Sequence, residues 1–477
     1  MDKKKVIDYI AQKSDVFCDL SDKIWESAET AFEEFESAKV LCEALEESGF
    51  KVEKGIAGIE TAFSGTFGSG KPVIGILGEF DALSGLNQRA GICEQEAIVA
   101  GANGHGCGHN MLGAGSLAAA VGIKKYLEES GKSGTVIYFG APGEEGGSGK
   151  AFMAREGVFD ILDAAICWHP DSMNWVWAGS SLANYQVKYK FKGLSAHAAA
   201  NPHHGRSALD AVELMNIGVQ FLREHIIQEA RIHYAIINSG GFSPNVVQAN
   251  AEVLYLIRSP KTPQVEEIYK RVNKIAAGAA QMTETEVEID FIKACSNLVP
   301  NTVLERVLYD NFKDMDLPKY TDDEMVFIKD MAKTMNPDAV ALKKKLSHGT
   351  EEEKANFTSK LEDDILDFVM PYFPNDDAIP GSTDVGDVSW ICPTAQIGTA
   401  TWTNGTPGHS WQIVSQGKSA QAHKGTILAG QVMACAAIDL YENPEIIEKA
   451  KAELNERLEG GKYICPIPKG LKPRKMT

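Results

Sequence analysis

The segment GHGCGHNMLGAG, residues 104–115, places His105, Cys107 and His109 at alternate positions with glycine between them. In an extended chain, alternate side chains point to the same side. Thiolate and imidazole groups are the ligands that zinc and related divalent metals favour. Cys107 and His109 alone are a weak signal, because a Cys-x-His pair is common by chance and a structural zinc site needs four ligands. Further ligands must therefore come from other segments.

Two adjacent carboxylates, Glu144 and Glu145, follow the apolar run TVIYFGAP. Adjacent charges next to a buried strand are costly unless a cation receives them. The segment EEGGSGKA resembles a phosphate-binding loop, but Glu144 stands where its first glycine belongs and Ala151 where a serine or threonine is needed. Two carboxylates would also repel phosphate. The pair therefore indicates a cation site, in which Glu145 is a ligand and Glu144 is a general base.

The elements that position these residues are apolar strands alternating with helices, which is typical of a parallel sheet covered on both faces. Ligands bind at the carboxyl ends of the strands in such sheets. One strand, PVIGIL, runs into Glu79 and Asp81, and another, AAICW, runs into His169. The loop that contains Cys107 precedes a helix predicted at 110–129. We therefore expect one site with the metal ligands Cys107, His109, Glu145 and His169.

The pattern changes near residue 184. From there to 296 the order is β-α-β-β-α-β, which predicts a ferredoxin-like α+β unit inserted between two parts of the first domain, 1–183 and 297–477. The predicted fold class is thus α/β, a parallel-type sheet with helices on both faces plus this insert. We also predict one helix over 16–49 and a solvated helical excursion at 320–365.

The composition excludes several function classes. The chain has 477 residues, of which 44% are hydrophobic and 23% charged, as expected for a soluble protein of two domains. Its net charge of −18 opposes binding to nucleic acid or to an anionic membrane. Nine scattered cysteines form no paired framework. With no signal peptide or membrane span in the sequence, we expect a cytoplasmic protein.

Six segments together resemble a known family: GEFDAL, GHGCGHN, APGEEGG, CWHP, FKGLSAHAA and TPGHSW. They are similar, in this order, to the dinuclear metallo-amidohydrolases, which include aminoacylases, hippurate hydrolase and glutamate carboxypeptidase. The resemblance implies two divalent ions per subunit, Mn²⁺ or Zn²⁺, and Glu144 as the general base. It implies that Cys107 bridges the ions and that the other ligands are His109, Glu145, His169 and His409.

The resemblance also assigns residues around the metals. It implies that Asp81 orients a ligand, that His197 stabilises the oxyanion, often across a dimer, and that Asn245 and Arg258 bind substrate. Glu79 stands where many relatives have a metal-binding histidine or an aspartate, so its role stays open. The same holds for His105.

The implied activity is hydrolysis of the amide bond of an N-acyl amino acid, with p-aminobenzoyl-glutamate as the favoured substrate. A dipeptidase or a general aminoacylase is the alternative within this class. An alternative of another class is a subunit that is active only with a partner chain. In this family the insert at 184–296 is a lid and dimerisation domain, which implies a homodimer, or a heteromer with a sister subunit.

Overall fold

The computed structural model describes residues 2–336, 349–358 and 360–475. In chain order its strands are β1 (Lys51–Lys54), β2 (Phe63–Ser69), β3 (Val73–Gly78), β4 (Gly134–Gly140), β5 (Ala164–Asp171), β6 (Trp175–Val176), β7 (Ser180–Ser181), β8 (Ala183–Lys192), β9 (Arg231–Asn238), β10 (Asn250–Ser259), β11 (Glu286–Cys295), β12 (Ala378–Ile379) and β13 (Thr394–Ala400).

The α-helices that the structure describes are α1 (Lys3–Gln12), α2 (Ser14–Ser27), α3 (Phe35–Glu47), α4 (His109–Ser130), α5 (Glu144–Gly147), α6 (Gly149–Arg155), α7 (Ala208–Leu222), α8 (Thr262–Thr283), α9 (Thr302–Lys313), α10 (Asp322–Ala332), α11 (Glu351–Thr358), α12 (Val385–Ser389), α13 (Trp411–Gln416), α14 (Ala420–Glu442) and α15 (Pro444–Arg457). None of them is both long enough and apolar enough to cross a lipid bilayer. The expected cytoplasmic location stays a prediction.

The larger sheet has the strand order β1-β2-β4-β3-β5-β13-β6. Its centre, β4-β3-β5-β13, is parallel, whereas β1, β2 and β6 add antiparallel pairs at the edges. Every residue of β4 and of β13 is buried, as expected for strands covered on both faces. On one face α4 packs against α14, where a Cβ at Gly430 would lie only 2.8 Å from the Ala118 Cβ. This close packing fixes α4, whose first residue is His109.

The inserted unit follows the order β8-α7-β9-β10-α8-β11, and its sheet has the antiparallel order β11-β8-β10-β9. Helices α7 and α8 pack against buried side chains of this sheet such as Val187 and Tyr255. Strand β9 lies at an edge. The predicted fold class, an α/β sheet domain with a ferredoxin-like insert, is confirmed.

The helix predicted over 16–49 is wrong. Helix α2 ends at Ala28, which adopts the left-handed conformation with φ 42°, and α3 begins at Phe35. The segment between them runs beneath the carboxyl edge of the sheet, where the Glu29 carbonyl accepts a 2.7 Å hydrogen bond from the Ala82 amide. Of the predicted excursion at 320–365, α10 and α11 are described, while 337–348 and 359 lie outside the described residues.

The segment 459–475, after α15, links the two sheets. The Tyr463 hydroxyl donates a 2.8 Å hydrogen bond to Asp387, in the larger domain. Arg155 of α6 donates to the Leu471 carbonyl at 2.8 Å, and Arg474 donates to the Phe291 carbonyl of β11 at 2.6 Å. The segment is therefore attached to the larger domain and to the insert.

Candidate metal centre and active site

The polar residues of the centre lie where the parallel strands of the larger sheet end. Glu79 directly follows β3, and His169 is the sixth residue of the eight in β5. Glu144 and Glu145 begin the short helix α5 after β4, and His109 begins α4. Because these strands are parallel, their carboxyl ends meet at one edge of the sheet.

Two groups of donor atoms share the sulfur of Cys107. One group is Cys107, His109 and His169, and the other is Cys107, Glu145 and His409; within each group the donor atoms lie within 4.8 Å of one another. The Cys107 Sγ is 3.5 Å from His169 Nε2, and His409 Nε2 is 3.2 Å from Glu145 Oε1. The structure thus brings together all five ligands expected from the sequence.

The free atoms of these residues fit divalent metal ions. His109 Nδ1 is held 2.8 Å from Asp81, and His169 Nδ1 lies 2.7 Å from the Pro170 carbonyl, which leaves Nε2 of each ring as the donor. Such contacts to the second ring nitrogen are usual for metal-binding histidines. Nε2 of His109 and Oε1 of Glu145 are buried and have no hydrogen-bond partner among the described residues. Burial, followed by the charge of His109, lowers the pKa of His169, which favours the neutral ring that binds metals.

Asp81 lies behind the donor atoms and contacts two of the residues that supply them. Its Oδ1 is the partner of His109 Nδ1, and its Oδ2 accepts a 2.9 Å hydrogen bond from the Glu145 amide. Asp81 is almost completely buried. One carboxylate therefore sets the orientation of the His109 ring and the position of α5.

Glu79 contacts a buried lysine that the sequence did not reveal. The Lys150 Nζ lies 2.6 Å from Glu79 Oε1 and 2.6 Å from Asp384 Oδ1, and Lys150 is 0% exposed. The other oxygen of Glu79, Oε2, lies 3.3 Å from His109 Nε2. Burial acts to raise the pKa of Glu79, but the Lys150 ammonium and the neighbouring histidines outweigh it and lower that pKa. Glu79 is therefore an anion fixed by a protein cation on one side and facing the donors on the other.

Glu144 faces the same centre. It forms a third close group with Glu79 and His109. Burial, and then the charges of Glu79, Glu145 and Asp384, raises the pKa of Glu144 far above its usual range. This concentration of carboxylates is unfavourable by itself, and added positive charge would relieve it.

A cavity of about 270 Å³ extends from these residues to the inserted sheet. Adjacent strands of that sheet present side chains to it in register: Arg258 pairs with Asn184, and Lys293 pairs with Gln186. The Lys293 Nζ donates a 2.8 Å hydrogen bond to the Glu145 carbonyl, so the insert contacts α5 directly. Sequence reasoning identified Arg258 through the family resemblance but missed Lys293.

Two of the expected site residues lie elsewhere. His197 is exposed and does not line the cavity; its Nδ1 accepts hydrogen bonds from the amides of Ala199 and Ala200, at 3.2 and 3.1 Å. Asn245 is also exposed, and its carbonyl accepts a hydrogen bond from the Ala198 amide at 3.0 Å. The two residues are therefore neighbours on the insert.

His105, the uncertain neighbour of Cys107, belongs to none of the donor groups among the described residues. It is buried, and its Nε2 lies 2.9 Å from the Ile24 carbonyl of α2. Burial lowers the pKa of His105 to about 3. His105 therefore packs the loop against α2.

Comparison with known proteins identifies the family. A family model described as the peptidase dimerisation domain matches residues 180–283. The chain is 49% identical over 459 residues to one of the subunits of the p-aminobenzoyl-glutamate hydrolase of Escherichia coli (strain K12), a match that covers 96% of this chain and 95% of that protein. The chain belongs to the M20 family of metal-dependent hydrolases. The predicted family and the predicted hydrolase class are thereby confirmed.

Two further M20 similarities cover most of the chain. It is 26% identical over 468 residues to the Xaa-Arg dipeptidase of Mus musculus, covering 96% of this chain and 93% of that protein. A dinuclear metal-binding peptidase of the M20 family from Bacillus subtilis superposes with a TM-score of 0.53 at 16% identity, covering 90% of this chain and 99% of that chain. At this identity the second similarity shows the fold alone.

Proposed function

We propose that this M20 hydrolase cleaves the amide bond of an N-acyl amino acid, with p-aminobenzoyl-glutamate as its substrate. The observation that carries the proposal is the pair of donor groups sharing Cys107, beside Glu144 and beneath Arg258. The 49% identical relative named for p-aminobenzoyl-glutamate supports the choice of substrate. The ligands are Cys107, His109, Glu145, His169 and His409, and they hold two divalent ions, Mn²⁺ or Zn²⁺.

The chain's own groups divide the remaining work. When bound, metal ions of this kind polarise a carbonyl and make an attacking water more acidic. Glu144 adjoins the ligand Glu145 and lines the cavity, so it receives the proton of the attacking water and passes it to the leaving amine. Asp81 keeps His109 and Glu145 in position throughout.

Arg258 binds a carboxylate of the substrate. It stands on β10 above the metal ligands, lines the cavity, and has a buried Nε without a partner among the described residues. A guanidinium group pairs with a carboxylate through two parallel hydrogen bonds. Lys293 adds a second positive charge to the same wall of the cavity. This wall therefore favours the amino-acid end of an N-acyl amino acid.

We infer that the active assembly is a dimer in which His197 and Asn245 serve the partner's cavity. Both residues are exposed and lie outside their own cavity. Strand β9 is an edge strand whose Tyr234, Ile236 and Ile237 are 41–45% exposed, which is typical of a surface that pairs with another chain. The match to the peptidase dimerisation domain supports this assembly. The partner is a second copy or a sister subunit.

The test is an assay of the purified chain, loaded with Mn²⁺ or Zn²⁺, on p-aminobenzoyl-glutamate, folate, hippurate and dipeptides, together with elemental analysis. We expect two divalent ions per chain and the highest kcat/KM for p-aminobenzoyl-glutamate. Failure to bind any divalent ion, or a preference for dipeptides, would contradict the proposal. A metal-loaded chain that becomes active only with a second, different chain would identify the heteromer.

A further inference from the structure

The cavity walls contain a concentration of buried polar atoms that have no hydrogen-bond partner among the described residues. Such atoms are rare in folded proteins, so several in one cavity indicate where a ligand makes its hydrogen bonds. Four belong to donor groups and one is an acceptor: Arg258 Nε, Trp177 Nε1, Gln396 Nε2 and Ser382 Oγ, and the acceptor Asn184 Oδ1.

Two of the donors are held rigidly side by side. The Trp177 amide donates a 3.0 Å hydrogen bond to the Gln396 carbonyl on β13, in the centre of the sheet. The Trp177 indole stacks on Trp175, with ring centroids 5.5 Å apart and planes 20° apart. Gln396 is only 3% exposed. The fold therefore presents both N–H groups to the cavity.

Ser382 lies on a loop that is fixed at both sides. The carbonyl of the preceding residue, Gly381, accepts a 2.8 Å hydrogen bond from the Leu182 amide. Two residues after Ser382, Asp384 is bound to the ammonium group and the amide of Lys150. The hydroxyl is consequently held at the cavity wall.

This set of atoms matches an N-acyl dicarboxylic amino acid. Such a substrate has two carboxylates, which only accept hydrogen bonds, and one amide N–H, which donates. Arg258 takes the first carboxylate under the proposed function, and its register neighbour Asn184 offers an acceptor for the amide N–H. Trp177, Gln396 and Ser382 remain for the second carboxylate.

The same donors discriminate against a neutral side chain. An indole N–H and an amide NH₂ can only donate hydrogen bonds. A carboxylate satisfies them, whereas a carboxamide would turn its own NH₂ toward at least one of them. A site built to bond a particular group rejects analogues that leave its buried polar atoms unpaired.

We propose that Trp177, Gln396 and Ser382 form a subsite that binds the second carboxylate of the substrate and selects glutamate over glutamine in the released amino acid. The inference rests on the proposed function for the position of the scissile amide. It adds three specificity-determining residues, all from the larger domain, to Arg258 on the insert.

The test compares kcat/KM for p-aminobenzoyl-glutamate, p-aminobenzoyl-glutamine and p-aminobenzoyl-alanine in Trp177→Phe, Gln396→Met and Ser382→Ala. Each variant should lose about 10- to 100-fold on the glutamate substrate, as expected for a hydrogen bond to a charged group, and stay within about twofold of the unmodified enzyme on the other two. Equal losses on all three substrates, or no loss on glutamate, would overturn the subsite.

A matched control is Trp390→Phe, which removes an indole N–H that donates to the Asn297 carbonyl at 2.9 Å, away from the cavity. It should leave the glutamate preference unchanged. Metal content and melting temperature of every variant should match those of the unmodified protein, so that a folding defect is recognised. The three variants alter separate elements, and any one that folds tests the proposal.

Calorimetric binding of N-acetyl-glutamate and N-acetyl-glutamine separates failure of the subsite from failure of the proposed function. If the unmodified protein hydrolyses none of the three substrates, the proposed function fails; weaker binding of N-acetyl-glutamate alone in the variants would still support the subsite. If it prefers p-aminobenzoyl-glutamate and the variants keep that preference, the proposed function stands and the subsite is wrong.

Discussion

The Nζ of Lys150 lies 2.6 Å from Oε1 of Glu79, and both side chains are buried. Glu79 occupies the position at which related hydrolases have a metal-binding histidine or an aspartate. Here one of its two oxygens is held by a cation of the protein itself. Lys150 also contacts Asp384 at 2.6 Å, so one ammonium group serves two carboxylates.

Replacement of Lys150 should destabilise the fold. Lys150→Met leaves Glu79 and Asp384 buried without their cation, a change that costs about 3–5 kcal/mol in comparable buried pairs. Urea unfolding of the metal-free protein measures it. Lys71→Met is the control, because Lys71 is 75% exposed in its pair with Asp163 and such surface pairs contribute about 1 kcal/mol or less. Equal stability of Lys150→Met and the unmodified protein would show that the buried pair is dispensable.

Cys107→Ala should lose both metal ions, because Cys107 is the residue common to the two donor groups. Equilibrium dialysis followed by elemental analysis measures the bound ions per chain. Cys93→Ser is the matched control, since Cys93 is a free cysteine whose Sγ lies 3.9 Å from the Phe327 carbonyl and does not line the cavity. A Cys107→Ala protein that keeps two ions would remove the sulfur from the ligand set.

Glu144→Ala should retain the metal ions and lose most turnover. Glu144 is not among the five proposed ligands, and loss of a general base typically lowers kcat by about 10²- to 10⁴-fold. Steady-state kinetics at saturating metal measures the loss, and Glu145→Gln, which alters a ligand, should instead reduce metal content. Near-normal rates in Glu144→Ala would assign the base to another residue.

His197→Ala and Glu144→Ala should each be inactive but should recover activity when they are mixed and allowed to exchange subunits. A mixed dimer contains one site with Glu144 from one chain and His197 from the other. If subunits of a homodimer exchange at random, about a quarter of the original activity should return. Activity is measured before and after exchange. No recovery, with exchange verified by mass-tagged subunits, would place His197 in the site of its own chain.

Stability should fall as pH rises from 5 to 8 because of Glu305. Burial, opposed by the hydrogen bond from Tyr372, raises the pKa of Glu305 from 4.5 to about 7. Between these values the folded protein binds more protons than the unfolded chain, so the free energy of unfolding decreases with pH, by up to roughly 3 kcal/mol. Glu305→Gln removes this dependence. Urea unfolding should show the variant gaining on the unmodified protein toward pH 8; a difference that does not vary with pH would contradict the assignment.

The convergence of Cys107, His109, Glu145 and His169 was predictable because it follows from one rule. Each residue lies at the end of an apolar strand or in the loop before a helix, and parallel strands end at the same edge. The family resemblance supplied His409, whose surroundings in the sequence give no strand or helix to place it. The β-α-β-β-α-β insert was predictable from alternating strands of the right length.

Lys150, Trp177 and Gln396 were not predictable in this way. Lys150 is buried because Glu79 and Asp384, far from it in sequence, meet it in the folded chain. Trp177 and Gln396 each look like ordinary core residues, and their free N–H groups are apparent only once every neighbour is placed. The left-handed turn at Ala28 was missed for a similar reason, because no glycine or proline marks it.

The segment 459–475 has a mechanical consequence. Since it is fastened to α6 and to β11, its slack limits how far the insert can swing away from the larger sheet. A single proteolytic cut within it would leave every donor atom of the metal centre in place. The cut protein should nevertheless sample wider separations, visible as a larger radius of gyration in small-angle X-ray scattering.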